Sequence, residues 1–326
     1  MDFHIDFTPS ALPRKIRYRE PIFLVGSCFT EHIAGRLSQY KFQVLENPHG
    51  ILFNPASIVQ SVNDCMQGRT YTADDLFEEQ GIWSSWDFHS RFSHPDPTQA
   101  LAAMNHSVAQ AHRFLRQCRW MVITLGSAFV YQLAEGRTVA NCHKAPAQHF
   151  RKRLMPPEDV LSALDTMLHK LRVFHPGMQF LFTISPVRHL REGLVENNRS
   201  KAVLIHCVHQ LCAKFDDVHY FPAYELVVDD LRDYRFYAED MVHPNYQATA
   251  YVWEKFVEAA IDPGTREIMK DVNQLLAAMA HKPLHPQSAA HQQFRLRQKQ
   301  WADGLMARYP WLDLSAEAAF FASGDQ

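Results

Sequence analysis

Long apolar runs are missing from this chain. No stretch of its 326 residues is long and apolar enough to span a bilayer. The N-terminal segment MDFHIDFTPSALPRKIRYRE places acids before bases and lacks the apolar core of a signal peptide, so a cytoplasmic protein is expected. Charge of one sign is not in excess either: Lys+Arg 33 face Asp+Glu 35, with no basic stripe to bind nucleic acid. Cysteine is sparse and scattered. Cys28, Cys65, Cys118, Cys142, Cys207 and Cys212 contain no Cys-x-x-Cys pair, which excludes a disulfide framework and reads as buried thiols. His49, His89, His94, His143 and His189 show no His-x-x-x-His or His-Glu-x-x-His spacing, so neither a metal nor a cofactor is expected. Internal repeats and low-complexity tracts are absent as well.

What remains is a chain with 47% hydrophobic residues, enough for one large core. Strand-like and helix-like segments alternate along most of it. Residues 21–25 read as a buried strand, followed by Thr30 as a cap and a helix over 31–40. Asn54-Pro55 repeats the start signal, with a helix over 55–66. A longer helix is expected over 97–117. The β-rich run 120–125 ends in Gly126 and reads as a second core strand. Residues 129–133 and 138–140 look like hairpin arms around Glu135-Gly136. Helices are expected over 157–171, 198–213 and 246–260, and strands over 179–184 and 219–221. This order implies a parallel sheet covered by helices on both faces. Beyond about Pro263 strand signals vanish, and residues 265–280 and 288–308 read as amphipathic helices. Two regions follow, 1–263 as an α/β domain and 264–326 as a helical extension that caps the pocket, mediates oligomerisation or binds a partner.

In open parallel sheets, ligands gather at the carboxyl ends of the strands. Ser27, Gly126-Ser127 and residues 185–189 each follow a predicted strand, and Asp240 to His243 lies just before a predicted helix. A hydroxyl attacks well only when a base takes its proton and a third group orients that base. Ser27, His243 and Asp240 supply those three roles. Cys28 is a second candidate nucleophile, because thiolates form readily at helix N-termini, against its reading as a small buried residue beside the turn. Trp83, Trp86 and Phe88 fit either a sugar platform or a core. Residues 197–201 fit a substrate loop or a helix cap, and the cap is the preferred reading.

The segments Gly26-Ser27-Cys28-Phe29, residues 47–55 (NPHGILFNP), residues 141–144 (NCHK), residues 185–189 (SPVRH) and residues 230–237 (DLRDYRFY) resemble the GSCFA family, in order, over about residues 20–260. That family is similar to the SGNH (GDSL-type) hydrolases. The resemblance implies a flavodoxin-like three-layer α/β/α sandwich with a parallel sheet. It further implies Ser27 as nucleophile, Asp240 and His243 as the Asp-x-x-His of the last block, and the backbone N–H groups of Ser27 and of the second-block Gly50 as oxyanion donors. The third block normally reads Gly-x-Asn-Asp; here Gly126-Ser127-Ala128-Phe129 has no asparagine, and Asn141 on the hairpin arm, the Ser127 hydroxyl or a backbone N–H near Gly126 stands in.

Lys144, Arg188, His189, Arg232 and Arg235 cluster in the same loops. They point to a polar or anionic substrate, such as an acylated carbohydrate. The expected activity is therefore a serine esterase acting on small-molecule or carbohydrate acyl esters. An acyltransferase with the same triad and a non-catalytic binding module are the alternatives.

Overall fold

Residues 7–323 are described by a computed structural model; residues 1–6, part of the segment read for a leader, lie outside them. In chain order the strands are β1 (Ile22–Gly26), β2 (Val44–Glu46), β3 (Phe77–Glu79), β4 (Ile82–Ser84), β5 (Trp120–Leu125), β6 (Phe129–Gln132), β7 (Thr138–Val139), β8 (Arg151–Leu154), β9 (Gln179–Ile184) and β10 (Val218–Tyr220). Five of them form one parallel sheet in the order β10-β9-β5-β1-β2. The helices are α1 (Cys28–Gln39), α2 (Pro55–Gln67), α3 (Pro97–Leu115), α4 (Pro157–Phe174), α5 (Leu194–Lys214), a short α6 (Ala223–Glu225) continued by the π-helical turn Leu226–Leu231, α7 (Tyr246–Ala260), α8 (Pro263–Ala280), α9 (Ala289–Arg308) and α10 (Ser315–Ser323).

The pleat sorts the core into two layers. Side chains of successive strand residues point to opposite faces. Ile22, Leu24, Trp120, Val122 and Leu181 therefore pack with Ile33 and Leu37 of α1 and Val252 and Phe256 of α7. Phe23, Val25, Met121, Ile123 and Phe180 pack on the other side with Ile58 of α2, Leu164 of α4 and Leu204 of α5. Central strands buried on both faces read as continuous apolar runs, which is why β1, β5 and β9 are legible in the sequence. Each such fully buried aliphatic or Phe side chain contributes about 1.5–3 kcal/mol by leaving water. The architecture is the expected three-layer α/β/α sandwich.

The C-terminal helices continue the first layer. Met269 and Val272 of α8, Leu305 of α9 and Phe321 of α10 join the core that holds Ile22 and Leu24. The Lys41 ammonium meets the buried Glu317 carboxylate at 2.6 Å, tying α10 to the end of α1. No helix of the described residues is long and apolar enough to cross a membrane.

Three departures from the sequence reading bear on the site. Helix α1 begins at Cys28 with Ser27 as its cap, three residues before the expected start. Helix α5 begins at Leu194, so Asn197 to Lys201 lie inside it rather than capping it. Strand β8, with sequence RKRL, pairs antiparallel with β6 and widens the β6–β7 hairpin into a three-stranded flap. Its basic composition carries no strand signal; cross-strand partners create it.

Candidate active site

The first turn of α1 is set by Gly26. Its φ is +144°, and a Cβ built there would lie 2.2 Å from the Thr124 carbonyl oxygen of β5. Only glycine permits that approach. The chain then turns at once into α1. The Ser27 N–H donates to Thr124 O (3.2 Å), and the Ser27 carbonyl accepts from Thr30 N–H (2.8 Å). Ser27 is thus fixed between β5 and α1. It is 1% exposed, and its Oγ makes no hydrogen bond among the described residues. Cys28, one residue on, faces open space.

That space is a cavity of about 570 Å³ at the carboxyl ends of β1, β5 and β9. Cys28 lines it from α1, Asn54 from the start of α2, Ser127 from the loop after β5, His189 from the loop after β9, and His243 from the loop before α7. Asn141 closes it from the flap, and Phe53, Phe129 and Tyr131 supply aromatic wall.

The His243 loop is built around Asp240. Asp240 Oδ1 accepts the N–H groups of Val242 (2.9 Å) and His243 (3.0 Å), and Oδ2 lies 2.7 Å from His243 Nδ1. Met241 takes φ +58° to close this turn, and the Ala238 N–H donates to His243 O at 2.7 Å. The His243 backbone N–H and imidazole, with the Val242 N–H, hold the Asp240 carboxyl down to about 2. An ionised carboxylate only accepts, so Nδ1 carries the proton of the neutral ring and Nε2 keeps a lone pair. Arg188 packs the loop in place, its guanidinium 4.1 Å from the Tyr237 ring centre and its backbone N–H donating to Val242 O (3.3 Å).

Beneath the cavity floor lies Lys201, which is 1% exposed. Its Nζ donates to Gly126 O and Ser185 O, both at 2.6 Å, so it ties the ends of β5 and β9 together. Burial pushes its pKa down to about 7, partly opposed by Cys28. Burial first, then the charges of Lys201, Lys152 and His243, push His189 down to about 3, so its ring is neutral. The His189 backbone N–H donates to Asn197 Oδ1 (2.9 Å), and its ring meets Phe53 edge-on at 5.3 Å.

The structure brings Asp240, His243, Arg188, His189 and Asn141 to this one region. It does not bring the Ser27 hydroxyl into hydrogen-bond contact with the imidazole. The expected oxyanion donors also need correction. Ser27 N–H is spent on Thr124 O, Gly50 N–H on Asn47 O (2.8 Å) and Gly126 N–H on Phe53 O (2.8 Å). Gly50 faces His89, whose Cβ would be 2.2 Å from a Cβ at position 50. Asn141 does line the cavity, with its Oδ1 held by His143 N–H at 2.8 Å. Lys144 and Arg235 do not line it; Lys144 is exposed, and Arg235 reaches toward Asp233 (3.8 Å) in the loop before α7. Arg232, the left-handed cap of the π-helical turn, lies outside it too.

Two groups were missed by sequence reasoning. Asn54 was legible as a helix cap, and its Oδ1 does accept Ser57 N–H at 2.8 Å. The same residue also lines the cavity, a placement that only the neighbouring loops reveal. Lys201 gave no signal, because a lysine inside a helix is ordinarily solvated. Phe88 is core, stacked on the buried His49 at 4.3 Å, and Trp86 stacks on Phe77 at 3.6 Å; neither lines the cavity. Trp83 is likewise elsewhere, in β4. Among the described residues no group of three or more His, Cys, Asp or Glu is placed to hold a metal ion.

A doubly covered parallel sheet with an acid–imidazole pair at its carboxyl edge defines the chain as an α/β/α protein with a candidate site at the strand ends. The chain belongs to the GSCFA family: the model of the GSCFA family matches residues 21–256, and that of the GSCFA domain protein, C-terminal domain, matches residues 272–325. Among solved structures, an acetyl xylan esterase (Est2A) from the rumen bacterium Butyrivibrio proteoclasticus aligns with 74% of this chain at a TM-score of 0.35 and 11% identity. The alignment spans 63% of that esterase chain. No curated protein matches the chain.

Proposed function

We propose that this protein is an acyl-transfer enzyme that hydrolyses short, polar O-acyl esters, with His243 as general base and Asp240 as its orienting acid. One observation carries the reading: His243, its Nδ1 held by Asp240, lines the same cavity as Cys28 at the N-terminus of α1, and a ring so held has Nε2 left to act as the base. A nucleophile from the Ser27-Cys28 pair gives up its proton to Nε2 and attacks the acyl carbonyl. Asp240 stabilises the imidazolium that forms. His243 then protonates the leaving alcohol, and water, activated by the same ring, releases the acid.

Oxyanion stabilisation has two donors in reach of the cavity. One is the Cys28 N–H, which at the first helical position has no intrahelical acceptor. The other is Asn54 Nδ2, in a side chain already ordered by its cap. Arg188 and Arg191 on the lining favour an acceptor with polar or anionic groups, such as an acetylated carbohydrate, and the aromatic wall offers its ring faces a stacking surface.

A panel of acetylated sugars and short aryl esters against long-chain lipid esters tests the proposal. Wild type turns over the short polar esters preferentially, and His243→Ala slows them by about 100-fold or more. Equal rates for His243→Ala and wild type, or a strong preference for lipid esters, would defeat it.

A further inference from the structure

We infer that the nucleophile of this site is the thiol of Cys28, and that the Ser27 hydroxyl is structural. The inference rests on the acyl-transfer reading above and specifies its attacking atom.

Access separates the two neighbours. Ser27 Oγ is sealed from solvent without a partner, and both its backbone groups are committed to holding β5 and α1. Cys28 lines the cavity together with His243. The reason is geometric. Gly26 ends β1 against Thr124, so the Ser27 side chain turns inward, without a capping hydrogen bond, and the first helical residue turns to the cavity.

The surroundings of Cys28 suit a thiolate formed on demand. The N–H groups of Phe29 and of Cys28 itself favour the anion, as does the ammonium of Lys201 below. Burial, the largest influence, and the Glu31 carboxylate oppose it and hold the resting group as a thiol. A base is then needed, and His243 Nε2 is the base on that cavity; the His189 ring is neutral and weakly basic. Cys65, Cys118 and Cys207 are buried away from the site. Cys142 shares the cavity but sits in the flap loop, with no helix N-terminus behind it.

The chemistry closes on itself. Cys28 Sγ–H gives its proton to His243 Nε2 as the S–C bond forms, and the carbonyl electrons move to oxygen. The oxyanion collapses, the C–O bond to the alcohol breaks, and His243 returns the proton to the leaving oxygen. Water then adds to the thioester carbonyl, giving its proton to His243. On collapse the S–C bond breaks, the acid leaves, and the thiol is restored.

Full-length protein, acid-quenched during turnover of p-nitrophenyl acetate, is expected to carry one acetyl group. Fragment-ion mapping places it on Cys28, and neutral hydroxylamine removes it, as it does thioesters. Cys28→Ala abolishes both adduct and turnover. Cys28→Ser, a variant one atom different in the same turn, turns over at least about 100-fold more slowly and gives an adduct that resists hydroxylamine. Should deacylation outrun the quench, iodoacetamide is expected to abolish turnover in proportion to Cys28 alkylation. An acetyl group on Ser27 or Cys142, or full turnover with Cys28 completely alkylated, overturns the inference and leaves ester hydrolysis through His243 standing. Absence of turnover with every ester overturns both.

Discussion

Lys201 offers a quantitative check on the cavity floor. Its ammonium is buried, bonded to two carbonyls at 2.6 Å, and pushed from 10.5 to about 7. In the unfolded chain the same lysine titrates near its ordinary value. Between about pH 7 and pH 10 the unfolded state therefore binds more protons than the folded one, and stability rises with pH. Above the unfolded value the penalty of burying the charge is gone; it accumulates as pH falls and is complete below the folded value. Each pH unit is worth about 1.4 kcal/mol, so the whole window is worth on the order of 5 kcal/mol. The two carbonyl acceptors favour the charged form, which makes this an upper bound. Lys201→Met keeps the length and removes the titration. It also strips donors from Gly126 O and Ser185 O, an offset that does not vary with pH. Urea unfolding of both proteins in parallel, followed by circular dichroism, cancels the titrating groups that Lys201 does not influence; His189 and Cys28, which feel its charge, are the exceptions. Wild type is expected to gain on the variant steadily from about pH 7 to pH 10. A gap that stays constant or narrows as pH rises would refute a buried, destabilised charge at this position.

Asp240→Asn replaces an acceptor with an amide that donates to Nδ1, moving the ring proton to Nε2 and removing the base. Steady-state kinetics on the best ester should then show turnover lower by roughly 10²–10⁴-fold, and a change under about threefold would exclude Asp240 as the orienting acid. Asn54 separates fold from chemistry. Asn54→Ser retains a capping oxygen, so the melting temperature holds while turnover drops roughly 10²–10³-fold for loss of one oxyanion donor. Asn54→Ala loses the same turnover and about 1 kcal/mol of stability besides. If Asn54→Ser keeps wild-type turnover, Nδ2 is not a donor.

Central strands and the acid–imidazole loop were legible early because their signals are local. A parallel strand buried on both faces must be apolar throughout, so residues 120–125 and 179–184 announce themselves. Two short elements were not legible, although the equally short β7 and β10 were. β2 has three residues at the sheet edge, and β8 is a basic run that becomes a strand only by pairing with β6. The start of α1 was misplaced because Thr30 is a better capping residue by composition than the chain requires. Thr30 is instead buried, and the close contact of Gly26 with Thr124 forces the turn earlier.

By itself the order of residues determined the layered fold, the strand ends where a site would form, and the pairing of residues 240 and 243, since each depends on neighbours in the chain. It could not choose between the side chains at 27 and 28, nor find the amide of residue 54 or the ammonium of residue 201. Those depend on which way a turn faces and on what packs beneath it, and both are set by β5, β9 and α5, segments about a hundred residues or more downstream of that turn.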